Sequence, residues 1–86
     1  MAESELNELL FMQVIFQNQQ LALMGLGKVK NPVTEKFEKN IEQAKMAIDI
    51  LDMLVLKTKG NLTQREEQYL SEVLRELKLT YVNESK

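Results

Sequence analysis

Asp49 and Asp52 stand three residues apart, a spacing that puts two carboxylates on one face of a helix. Such a pair can hold Mg²⁺ when another chain supplies further oxygens, which would make a metal-dependent hydrolase. Lys45 precedes Asp49 by four residues, so the same carboxylate is equally placed for an ion pair along its own helix. Ser4, Ser71 and Ser85 offer hydroxyls, but the chain has no histidine and no cysteine, and no lysine falls at a spacing that names it as their base. The commonest general base, the commonest transition-metal ligands and the strongest nucleophile are therefore missing together. The residues point away from an enzyme, and no catalytic, metal-binding or cofactor-binding position is assigned.

Lys28, Lys30, Lys57 and Lys59 mark two joints that would meet if the segments between them packed antiparallel, giving a small phosphate-binding patch for a nucleic-acid accessory protein. No aromatic residue interleaves with them, and a net charge of -2 supplies no long-range attraction to phosphate. Cations at helix ends and solubility explain them as well. The most unusual polar feature is a stripe of amides, Gln13, Gln17 and Gln20, with Asn18 and Gln19 beside it. A stripe of this kind could read a peptide backbone, pair with its own symmetry mate, or form the edge of an interface.

Three helical segments must position these groups, and no strand-like alternation competes with them, so the class is all-α. The first, about Leu6 to Leu26, is apolar nearly all round apart from the amide stripe, and a helix of that pattern must be covered nearly all round. Nineteen residues from Leu9 to Gly27 carry no charge, but five amides inside the run argue against a membrane span. Glycines at 25 and 27 close the segment as candidates for a left-handed cap. The second segment begins at Asn31-Pro32 or Thr34, with Asn40 as a later alternative. Its core stripe is Phe37, Ile41, Ala44, Ala47, Ile48, Leu51, Leu54 and Val55, and a second, narrower stripe is Met46, Ile50 and Met53. Gly60 is placed for the left-handed C′ position of this helix, and Thr63 with Glu66 forms a capping box that opens the third segment, about Gln64 to Val82. The short joint between them makes an antiparallel hairpin. The third segment buries Tyr69, Leu70, Val73, Leu74, Leu77 and Tyr81 on a single face.

The run from Asn40 to Val82, above all Lys57-Thr58-Lys59-Gly60-Asn61-Leu62-Thr63 with Ile48-Asp49-Ile50-Leu51 before it, closely resembles a family of small bacterial proteins known as domain of unknown function 1844. The resemblance extends from about Phe11 to Val82 and implies a short helical protein, with no activity, cofactor or partner attached.

An 86-residue chain of 10.0 kDa forms one domain, residues 1–86 with short flexible ends at about 1–5 and 83–86. By area scaling a monomer of this size buries only about 64% of its extended surface, and no disulfide can support so small a core. The expectation is a three-helix cytoplasmic protein whose first helix lies in a homo-oligomer interface, a dimer in the simplest case. It would act as an interaction or scaffold module. Met12, Phe16 and Leu23, the amides Gln13, Gln17 and Gln20, and the stripe Met46, Ile50 and Met53 are the expected interface.

Overall fold

Punctuation between the segments decides where each helix stops. The computed structural model describes residues 2–85 and contains α1 (Glu3–Gly25), α2 (Ile41–Lys57) and α3 (Gln64–Glu84), with no strand among the described residues. Glu3 and Glu5 in the first turn of α1 complement the positive end of its dipole. Its C-terminus is closed by a Schellman arrangement: Lys28 N–H donates to Leu23 O at 2.9 Å and Gly27 N–H to Met24 O at 3.0 Å, with Gly27 left-handed at φ 77°. Gly25 is not a cap. It stays within the helix, and a Cβ there would lie 2.6 Å from Asn40 O and 2.8 Å from Ala44 N, so it is the point of closest approach between α1 and the start of α2.

The second helix starts at the later of the expected places. Asn31 spends its hydrogen-bonding groups on the loop instead of on a helix: its side chain accepts from Val33 N–H at 2.8 Å, its N–H donates to Lys36 O at 2.8 Å, and its carbonyl accepts from Glu35 N–H at 2.7 Å. Glu35 then takes a left-handed φ of 58°, which no helix can continue through. Asn40 becomes the N-cap, its side chain accepting from Gln43 N–H at 3.1 Å. Phe37 therefore falls outside α2 and is exposed, with Lys30 Nζ 5.6 Å from its ring centroid, so it is removed from the core stripe. Val55, near the C-terminal end of α2, is also more exposed than its place in the stripe implies.

Thr58 is the C-cap of α2, and Asn61 N–H donates to Thr58 O at 2.8 Å, closing a turn. Gly60 carries the left-handed φ, 83°, at the third residue of that turn, one place beyond C′. Thr63 and Glu66 form the capping box in both directions: Thr63 Oγ1 accepts from Glu66 N–H at 3.1 Å and Glu66 Oε1 accepts from Thr63 N–H at 2.7 Å. A cap of this kind stabilises its helix by about 1 kcal/mol. α1 and α3 run three and two residues further than the periodicity sets them, into the ends expected to be flexible; Met1 and Lys86 lie outside the described residues.

α1 and α3 run parallel, with α2 antiparallel between their ends. Thr63 and Glu8 join the first turns of α3 and α1, Asn40 N–H donates to Gly25 O at 2.7 Å where α1 ends and α2 begins, and Lys78 on α3 reaches Asp52 on α2 at 2.8 Å. The core draws Ile15, Ala22 and Leu26 from the first segment, Ala44, Ala47, Ile48 and Leu51 from the second, and Leu70, Val73, Leu74 and Leu77 from the third. The three helices form a flat body of 40 × 26 × 16 Å. Its radius of gyration is 13.8 Å, against about 12 Å for a compact chain of this length. Its accessible surface is 6177 Å², whereas a compact monomer of this mass exposes roughly 5,200 Å².

Candidate functional site

Asp49 and Asp52 are each taken up by a lysine. Lys45 Nζ lies 2.8 Å from Asp49 Oδ2, and Lys78 Nζ lies 2.8 Å from Asp52 Oδ1. The Asp49 bond and charge raise the Lys45 pKa above its ordinary value. These four residues rim a shallow cleft of about 260 Å³ floored by Ile48, Tyr81 and Val82. No group of three or more metal-ligating side chains forms among the described residues. The cleft is an alternation of paired charges, in which a cation would have to displace a lysine from each aspartate.

The two lysine-bearing joints do not meet. Lys28 and Lys30 sit where α1 ends and α2 begins, whereas Lys57 and Lys59 sit where α2 ends, so the 17 residues of α2 hold them about 25 Å apart. Two joints share an end of a helical stack only when an even number of helices separates them, and here one does. The patch that a nucleic-acid reading requires is not assembled.

What the fold does assemble is an apolar face. Only Ile15, Ala22 and Gly25 of α1 are fully buried, and they fall along one line of the helix. The opposite side carries Leu6, Leu10, Val14 and Leu21 toward solvent, with Leu10 52% exposed, and Phe16, 50% exposed, lies on the flank beyond Gln13. Gln13 and Gln17 are exposed along the middle of this face, and Gln20 is half-buried. α2 adds Met46 and Met53, both exposed, and the half-buried Ile50 on its side away from α3. Two residues expected on this face belong elsewhere. Leu23 packs against the core, and Met12 is half-buried beside Arg65, Gln68 and Tyr69 on the α3 side of α1. The apolar surface is therefore centred on Leu10, Val14 and Leu21, which share one side of α1 and face away from α2 and α3.

The family model of a domain of unknown function (DUF1844) matches residues 8–83, most of α1 together with all of α2 and nearly all of α3. The chain belongs to this family. No curated protein and no solved structure matches it significantly. No helix of the described residues is long and apolar enough to cross a membrane.

In this DUF1844 chain two carboxylates that periodicity did not single out tie the layer together. Glu8 accepts from the Thr63 hydroxyl at 2.8 Å and pairs with Arg65 at 3.3 Å, so the capping box of α3 is anchored to α1. Glu84 bridges Lys39 at 2.9 Å and Lys28 at 3.0 Å, fastening both ends of the α1–α2 loop to the last turn of α3. These contacts join residues 45 or more positions apart and carry no local signal in the sequence. The hydrogen bonds from Lys39 and Lys28, with their charges, hold the Glu84 carboxyl below the ordinary carboxylate range. A depressed folded pKa stabilises above the unfolded value and is lost as the pH falls through the folded one. Glu84→Gln should accordingly be less stable than the wild type near neutrality, and the two should converge on acidification below the carboxylate range. Urea titrations at several pH values, at low salt because the bridge is solvent-exposed, measure this. A gap that stays constant on acidification would contradict the bridge.

Proposed function

We propose that this chain is a non-enzymatic, self-associating helical module of the cytoplasm that serves as an interaction or scaffold element. The observation that carries the reading is the outward face of α1. Leu6, Leu10, Val14 and Leu21, with Phe16 on the flank beyond Gln13, leave several hundred Å² of apolar surface on one protomer, at or above the limit soluble monomers usually tolerate. Burial at about 25 cal/mol per Å² favours covering it, and a self-complementary face is covered most simply by a two-fold dimer. Coupled folding and assembly make the melting temperature depend on protein concentration. The Tm should rise as the chain is concentrated through the micromolar range, and a Tm independent of concentration would refute self-association.

A further inference from the structure

We infer that the partner for the α1 face is a second copy of this chain lying antiparallel across it, with the two-fold axis crossing the outward line between Val14 and Gln17, at the height of residues 15 and 16. The inference rests on the self-association proposed above and specifies its geometry. Leu10, Val14, Gln17, Leu21 and Met24 follow one another in alternating steps of four and three, the repeat that lets two helices mesh side chains along a shared line. Four of the five are apolar, and Leu10, Val14, Gln17 and Leu21 are exposed in the protomer. The neighbouring line, Leu9, Gln13, Phe16, Gln20 and Leu23, carries two amides and gives Leu23 to the core, so it is the poorer contact.

Charge at the two ends of α1 selects the direction. Glu3 and Glu5 open the helix and form no ion pair with any described residue, while Lys28 and Lys30 follow its last turn. An antiparallel copy sets both glutamates beside the partner's α1–α2 joint, where Lys30 forms no ion pair with any described residue and Lys28 is already bridged to Glu84, whereas a parallel copy would stack each glutamate on its own image. An axis at that height brings Leu10 onto the partner's Leu21 and Val14 onto the partner's Gln17. The two Gln17 side chains flank the axis with an offset of about 4.5 Å along the helix, at 1.5 Å per residue and three residues, where one amide can donate to the other. A single polar residue in an apolar line fixes register, because any slip leaves its amide buried against hydrocarbon. The protomer's 6177 Å² exceeds the scaling expectation by roughly a thousand Å², so the flat body has surface to spare for a standard interface of roughly 800 Å² from each partner.

A chain without cysteine makes the test direct. Leu10→Cys and Leu21→Cys are prepared separately, oxidised alone and as an equal mixture, and read on non-reducing gels, with sedimentation of each sample beforehand. The antiparallel dimer predicts that the mixture forms a disulfide-linked pair at least roughly tenfold more than either variant alone, since Leu10 and its own image stand about 16 Å apart, beyond disulfide reach. Cross-linking of each variant to itself would overturn the antiparallel arrangement in favour of a parallel one. A dimer by sedimentation with no cross-link in any sample would overturn the α1 face while leaving self-association standing. A monomer by sedimentation for the variants and for the unsubstituted chain would overturn the self-association proposal itself.

Discussion

Gly25→Ala lowers the unfolding free energy by about 2–3 kcal/mol, although the same change in an unobstructed helix would raise it by about 0.5–1 kcal/mol. The sign is reversed by what stands opposite. An added Cβ would meet Asn40 O at 2.6 Å, Ala44 N at 2.8 Å and Ala44 Cβ at 3.0 Å. The two closest of these are backbone atoms at the first turn of α2, which no rotamer change can move aside. To admit the methyl group the helices must separate, which breaks the 2.7 Å bond from Asn40 N–H to Gly25 O and disturbs the N-cap that Asn40 provides for Gln43 N–H. Equilibrium urea unfolding of both forms at one protein concentration measures the difference. An alanine variant as stable as the wild type, or more so, would show that α1 and α2 do not pack this closely.

Leu21→Glu weakens self-association by about 10²–10³-fold, equivalent to roughly 3–4 kcal/mol, because it places a carboxylate against the partner's Leu10 with no counter-charge in reach. The protomer itself should accept the change. Leu21 is already 45% exposed, and its backbone carbonyl remains available to Gln43 Nε2. Leu79→Glu is the matched control: it makes the same substitution at a leucine 57% exposed on α3, away from the α1 face. It should leave association unchanged. Helical content by circular dichroism, measured at a concentration where each variant is fully associated, separates lost assembly from lost folding. Equal weakening by both changes would mean that added negative charge, not the α1 face, is responsible.

Local signals made most of the elements legible. The capping box at Thr63 and Glu66 satisfies two orphan donors within four residues, and the buried positions of α3 recur at helical steps on a single face, so each could be read from its own segment. The start of α2 was harder. Asn31-Pro32, Thr34 and Asn40 are all acceptable beginnings in isolation, and the choice was made by Asn31 closing its own loop and by Asn40 reaching back to Gly25. Gly25 shows the same limit from another side. A glycine near a helix end reads as a cap, whereas its function here is to lack a Cβ beneath a second helix fifteen residues further along the chain. The exposed face was half legible. An α1 apolar nearly all round announces a surplus of hydrophobic surface, but which third of the wheel faces outward depends on where α2 and α3 dock, so Leu10, Val14 and Leu21 displaced Met12 and Leu23. The expected meeting of the lysine joints failed for a topological reason, since one helix between two joints puts them at opposite ends.

Sedimentation equilibrium of the unsubstituted chain across the micromolar range tests the central claim most directly, because it reads mass without label, cross-linker or substitution. The expected mass is near twice 10.0 kDa and falls toward the protomer only on dilution. A constant mass of one protomer throughout would contradict it.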